Sequence, residues 1–413
     1  MNRAPRGPGD VNLGPLGPGP KLTSPGSSGY LFHFIVESRT EVRYNIRNDD
    51  DVRKTKREIF KMKFIHIADV HLGAVPDAGT AWSDLRSREL WTGFEALLDT
   101  ACDQKVDFVL IAGDLFHRQP MMKELKELNY MCERIKPVRV VIMAGNHDYL
   151  KADSRYLRMD WAENVYFFKQ SKPECFYFED KDTYIYGLSY TDFEVTEPLY
   201  DRLLPVKADG CHILLAHGGD AKHSPMKYDR IAAAGFDYAA LGHIHKPELM
   251  YDGKVAYSGA LQPIDRNDFG AHGYILGEWK EGSLSVALVP FSKRSYIPVE
   301  ICLDGAMPWS MILDLIRAQI SALGDENIYR VKLVGFRDPD IEICEDDILR
   351  LGHVIEVEDD SRPDYDFDEI CMQNKNNIIG MFIERIRSIP AEETSKEKAL
   401  YYGLKALFST MER

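Results

Sequence analysis

Five short apolar runs in this chain each end in residues that can bind a metal ion. The run at 63–68 leads into Asp69-Val70-His71, and the run at 107–112 into Gly113-Asp114. Residues 139–144 lead into Gly145-Asn146-His147-Asp148, residues 212–216 into His217-Gly218, and residues 236–241 into Gly242-His243-Ile244-His245. Runs of this length, rich in Val, Ile and aromatic residues, suit strands buried on both faces of a sheet. A single such run cannot be told from a buried helical segment, but five with the same polar ending favour strands. In helix-flanked sheets, ligands collect beyond the carboxyl ends of the strands, where these residues stand. The pattern predicts a dinuclear metal site on one rim of a β-sheet, with glycines 113, 145, 218 and 242 turning the backbone there.

The rest of the chain is organised around these runs. Residues 86–101 and 121–135 carry helical apolar spacing between motif strands, and 184–188, 274–279 and 284–291 read as further strands, so 62–290 forms a layered α/β domain. Residues 291–357 read as a small α/β cap, with strands at 296–303, 328–334 and 354–357 and a helix at 309–323. The acidic residues at 358–369 read as a solvated linker, since their spacing lacks the glycine and final glutamate of a calcium loop. In the last segment, 370–413, helices at 377–386 and 397–411 have apolar faces made of Ile378, Met381 and Phe382, and of Leu400, Leu404, Leu407 and Phe408. Such a pair packs on the cap or on itself, or grips a partner. Residues 1–29 are rich in Pro, Gly and Ser, and 1–61 reads as a disordered or mis-assigned leader with Met62 as the true start.

Composition narrows the class. With 413 residues and 45% hydrophobic content, the chain can bury a large core in two or more units. Seven scattered cysteines without a Cys-x-x-Cys pair predict a reduced, cytoplasmic protein with neither a disulfide framework nor a zinc knuckle. No apolar stretch approaches the roughly 18 residues of a membrane span. A net charge of −14 argues against unspecific attraction to a polyanion, although local cations can act on such a background.

Carboxylate, imidazole and amide oxygen together suit two divalent ions of intermediate hardness, such as Mn²⁺, Fe²⁺ or Zn²⁺, and the lack of thiolates argues against structural zinc. Asp69, His71, Asp114, Asn146, His217, His243 and His245 are the candidate ligands, and Asp114 is the natural bridge because a carboxylate has two oxygens. Two ions so placed clamp a phosphoryl group and lower the pKa of an attacking water. His147, next to Asp148, is left over as a catalytic group that stabilises the transition state or protonates the leaving oxygen, with Asp148 orienting its ring. His117, three residues after Asp114, reads as a phosphate contact or a surface histidine. His66, His212, His223, His272 and His353 lack motif partners and read as structural.

These motifs, with Gly113-Asp114-Leu115-Phe116-His117 and Tyr257-Ser258-Gly259-Ala260-Leu261-Gln262-Pro263, resemble the calcineurin-like metallophosphoesterases, and among them the SbcD and YhaO type of DNA repair exonuclease. The resemblance is strong over 62–290 and loose beyond it. It implies a four-layered α/β/β/α sandwich followed by a small α/β cap and C-terminal helices. It also implies one manganese on Asp69, His71, Asp114 and His245 and another on Asp114, Asn146, His217 and His243, with His147 catalytic and supported by Asp148. DNA as substrate, a homodimer, and an SMC-like coiled-coil ATPase gripping the C-terminal helices follow from the same resemblance. Two rivals stand beside this expectation: a small-molecule phosphodiesterase or phosphatase on the same fold, and a non-catalytic DNA-binding subunit of a repair complex.

Overall fold

The structure, a computed structural model, describes residues 35–36, 61–280 and 282–411. The leader expected over 1–61 therefore lies outside the described residues, except for β1 (Ile35–Val36) and Lys61. The apolar runs build two sheets. One contains β2 (Lys61–Ile67), β3 (Phe108–Ala112), β4 (Arg139–Met143) and β5 (Val165–Phe167), all parallel. The other contains β6 (Glu174–Phe178), β7 (Thr183–Gly187), β8 (Cys211–His217), β9 (Tyr238–Gly242), β10 (Glu248–Met250) and β11 (Val255–Tyr257), in the order β1-β6-β7-β8-β9-β11-β10. The antiparallel pair β12 (Gly273–Lys280) and β13 (Ser283–Pro290) extends the first sheet beside β2.

The period-two alternation of a strand sends successive side chains to opposite faces, and both faces are covered here. Phe64, Phe108, Leu110, Val141 and Met143 meet Ile185, Ile213, Leu215 and Tyr238 between the two sheets. Ile65, Ile67, Val109, Ile111, Val140 and Ile142 turn the other way, onto Leu90, Phe94, Leu97 and Leu98 of α1 (Ser83–Asp103) and Leu125 and Leu128 of α2 (Met122–Arg134). On the far side of the second sheet, Leu214, Ala216, Ala239 and Leu241 are covered by Tyr200, Leu203, Met226 and Ile231. The four layers are thus present, but the last is thin: a six-residue helix, Tyr228–Ala233, and its flanking loops. No helix among the described residues is long and apolar enough to cross a membrane, and all seven cysteines are free.

A third, parallel sheet follows, made of β14 (Tyr296–Leu303), β15 (Ile328–Arg337) and β16 (Val354–Asp359), with Ile312, Ile316 and Ile320 of the Trp309–Leu323 helix packed on it. The acidic run does not begin as a linker. Glu356 and Glu358 lie on β16, where Arg330 and Lys332 of β15 pair with them at 2.8 and 3.3 Å, and Asp360 lies 2.5 Å from Lys332. Neighbouring basic residues neutralise charges that in isolation would favour solvent. The run ends inside a short helix, Phe367–Gln373, whose N-cap Asp366 accepts from Asp368 N and Glu369 N.

The two last helices, Ile378–Ser388 and Glu393–Met411, pack on each other. Their buried contacts are Ile379, Ile383, Leu400 and Leu404, so the face expected from Ile378 and Met381 is turned outwards. The first of these helices is apolar on most sides, so its periodicity does not distinguish stripes one residue, or about 100°, apart.

Candidate metal centre

The five motifs meet beyond the carboxyl ends of β2, β3, β4, β8 and β9. The expected single rim is in fact the junction of two: the first three strands belong to one sheet and the last two to the other. Because both sheets bring the same strand ends to one place, residues far apart in sequence come within bonding distance. Asp69, His71 and His245 form one group of potential ligand atoms and Asp114, His217 and His243 a second, each with its atoms within 4.8 Å of one another. Asp114 Oδ2 lies 3.4 Å from His217 Nε2 and 4.0 Å from His71 Nε2, so one carboxylate reaches both groups. Asn146 Oδ1 lies 2.9 Å from His217 Nε2 and 3.0 Å from His243 Nδ1.

The backbone is strained to achieve this. Asp69, His71 and Asp114 have φ of 50°, 50° and 49°, and His243 has 96°, conformations that side chains disfavour. Such residues cost on the order of 1–3 kcal/mol each and gather at functional sites. Gly113, at φ 90°, makes the turn into Asp114, whereas Gly145 is needed for space: a Cβ there would meet Asp114 Oδ1 and lie 2.6 Å from Asp114 N.

The donor set fits cations. His71 Nε2 and His245 Nε2 face each other at 3.1 Å. His217 Nδ1 lies 2.9 Å from the Ala112 carbonyl, so the neutral ring carries its hydrogen there and Nε2 turns a lone pair towards the Asn146 oxygen. At His217 an acceptor thus faces an acceptor, an arrangement that a proton or a metal ion must bridge. Charge tells the same story. Burial pushes Asp69 up to about 6, while at Asp114 burial is outweighed by His217 and His71, which hold it below the usual carboxylate range. Burial opposes charge on His217 and His245, yet the carboxylates Asp114 and Asp268 respectively lead in raising each to about 9. Burial lowers His71 well below its ordinary value and brings His243 to about 4.

His147 stands at the half-buried edge, its ring 4.9 Å from that of His71 and its Nδ1 3.0 Å from the His117 carbonyl. The expected support from Asp148 is absent. Asp148 is fully buried and accepts from Gly145 N at 2.8 Å, Phe116 N at 3.1 Å and Tyr156 Oη at 2.7 Å, so it braces the motif loop instead. His117 is exposed, but it is not remote: its ring stacks on His147 at 5.0 Å and its Nδ1 lies 3.3 Å from His71 Nδ1.

Sequence reasoning missed several groups. Asp220 lies 2.8 Å from His243 Nε2, and Asp268 lies 3.2 Å from His245 Nδ1. His223, expected to be merely structural, lies against His243 with ring centroids 4.4 Å apart and the planes tilted by 44°. Tyr190 and Tyr257 donate to the carbonyls of His217 and Gly218, each at 2.7 Å, and this explains the tyrosine that opens the 257–263 motif. Asp220, three residues after His217 in His-Gly-Gly-Asp, had a local signal; Asp268 had none. His66 is a core histidine, as expected, but only half satisfied: Nδ1 lies 2.9 Å from Tyr238 Oη while Nε2 is buried without a well-formed hydrogen bond among the described residues; His212 and His272 are bonded in the interior.

Residues 62–247 match the family model described as calcineurin-like phosphoesterase, a span that contains every motif residue from Asp69 to His245. The uncharacterized metallophosphoesterase YhaO of Bacillus subtilis is 31% identical over 243 residues, covering 54% of this chain and 59% of that protein. The DNA double-strand break repair protein Mre11 of Methanocaldococcus jannaschii is 28% identical over 219 residues, covering 50% and 58%. Its counterpart in Methanopyrus kandleri is 27% identical over 255 residues, covering 54% and 55%. The chain thus spans little more than half the length of these curated relatives.

Proposed function

We propose, from the premise that residues 62–247 form a calcineurin-like metallophosphoesterase domain, that this chain is a manganese-dependent exonuclease and endonuclease that hydrolyses DNA phosphodiester bonds in end processing and repair. The observation that carries the reading is Asp114, whose one carboxylate reaches both ligand groups. Asp69, His71, Asp114 and His245 would hold one divalent ion, and Asp114, Asn146, His217 and His243 the other. Such a pair supplies Lewis acidity at a phosphoryl oxygen and a water of lowered pKa.

The chain's own groups do the remainder. With Nδ1 engaged by the His117 carbonyl, the neutral His147 ring presents its Nε2 lone pair at the site edge, and when protonated it can give that proton to a leaving oxygen. His117, which stacks on His147, would contact a phosphate beside it. DNA as the substrate draws on the similarity to the repair proteins and on the additional sheet and helices beyond residue 290, which a small-molecule enzyme does not need. The outward-facing Met372, Ile378, Met381 and Tyr402 suit a coiled-coil partner, which we infer to be an SMC-like ATPase, with a homodimer as the working unit.

The test compares linear DNA, a generic phosphodiester and a phosphomonoester with Mn²⁺. Hydrolysis of DNA and of the diester is expected, and preference for the monoester would defeat the nuclease reading.

A further inference from the structure

Every histidine of the metal centre has a second ring nitrogen, and what that nitrogen meets decides which one is offered to an ion. His217 turns Nδ1 to the Ala112 carbonyl and His71 turns Nδ1 to His117, both from strand-end motifs. His243 and His245 differ. Although only one residue separates them, they face outwards through opposite nitrogens, Nε2 and Nδ1, and each meets a carboxylate from outside the motifs.

We propose that Asp220 and Asp268 are positioning residues, each serving one ion: Asp220 fixes His243 so that Nδ1 is presented, and Asp268 fixes His245 so that Nε2 is presented. This rests on the two-ion reading given above. Both carboxylates are held in place before they meet a ring. Asp220 Oδ1 accepts from Lys222 N at 2.7 Å and His223 N at 2.9 Å, while Oδ2 lies 2.8 Å from His243 Nε2 and 3.0 Å from the His223 ring, which it also steadies. Asp268 Oδ2 accepts from Ile264 N and Asp265 N, both at 2.9 Å, and approaches His245 Nδ1 from the same side. A carboxylate fixed by its own loop can select a tautomer and a ring orientation without losing its own freedom in doing so. The presented nitrogens point where the geometry requires: His243 Nδ1 to the Asn146 oxygen, and His245 Nε2 to His71 Nε2. The His243 backbone, at φ 96°, is strained, so its side chain has particular need of an outside anchor.

The assignment predicts selective damage. Full-length wild type and Asp220→Ala, Asp268→Ala, Asp220→Asn and Asp268→Asn chains are titrated calorimetrically with Mn²⁺ alone, and electron paramagnetic resonance distinguishes paired from isolated Mn²⁺. Each alanine variant is expected to weaken one ion about 10- to 100-fold and leave the other in place, as loss of a ligand's outer carboxylate does elsewhere. The paired signal should give way to an isolated one. The asparagine variants keep an acceptor oxygen and should weaken the same single ion by less, and they serve if an alanine variant does not fold. Wild-type affinity for both ions in all four folded variants, or equal loss of both ions in any one, would overturn the assignment. If the wild type itself binds no Mn²⁺, it is the two-ion reading that fails, and this inference falls with it.

Discussion

His147 shows how much one residue's surroundings decide. It is half-buried, contacts the His117 carbonyl through Nδ1 and gathers with His71 and His117 at the edge of the centre, in neither of the groups that hold Asp69 and Asp114. His147→Ala is therefore expected to bind Mn²⁺ like the wild type but to lose turnover by about 10²- to 10⁴-fold, the usual reach of a positioned acid or base. Calorimetry beside single-turnover hydrolysis checks this, and loss of metal binding would show the residue to be a ligand. His66 allows a prediction about pH. Burial lowers it to about 3, whereas an unfolded chain takes up that proton near pH 6.5. Protons therefore favour unfolding: stability is undiminished above about pH 6.5 and erodes as pH falls towards 3, by up to about 1.4 kcal/mol per unit from this group. His66→Gln should flatten the fall in the urea midpoint between pH 6.5 and 4. Equal slopes for variant and wild type would refute this.

At the scale of elements, the strand ends were legible because each motif is local: a short apolar run and a polar turn occupy neighbouring residues. What the pairing of strands decides was not legible. That the five ends come from two sheets, that Glu356 and Glu358 lie on a strand against Arg330 and Lys332, and that Asp268 reaches His245 all depend on contacts between distant segments. Asp148 misled for a related reason. Its position beside His147 suggested contact, but the loop sends its side chain inwards to Tyr156. The turn at Gly145 brings backbone against Asp114, so Gly145→Ala is expected to cost about 1–3 kcal/mol by overpacking and to weaken Mn²⁺ binding. Gly352, where an added Cβ would come no nearer than 3.4 Å to the Ile320 side chain, is the matched control. Thermal unfolding and Mn²⁺ titration of the two alanine variants should separate them clearly.

Across the whole molecule, a buried charge network joins the first helix to the third sheet. Arg86 is fully buried and lies 3.0 Å from Glu89 and 3.3 Å from Asp77; Glu89 in turn receives Arg294 Nε at 2.9 Å, and Tyr296 donates to Asp77 at 2.6 Å. Arg294 also donates to the Glu326 carbonyl, so the element after β13 is tied to the loop before β15. Nothing in the spacing of these residues announced the network. Glu89→Ala would leave two buried guanidinium groups short of a partner and is expected to cost about 3–5 kcal/mol, read from the urea midpoint. A loss below about 1 kcal/mol would show the network to be no stronger than a surface pair.

The two-ion centre is most directly tested by counting ions. Mn²⁺ titration of the full chain should find two ions for the wild type, while Asp114→Ala should bind neither ion tightly and hydrolyse no phosphodiester. One ion in the wild type, or wild-type hydrolysis by Asp114→Ala, would contradict a centre built on a shared carboxylate.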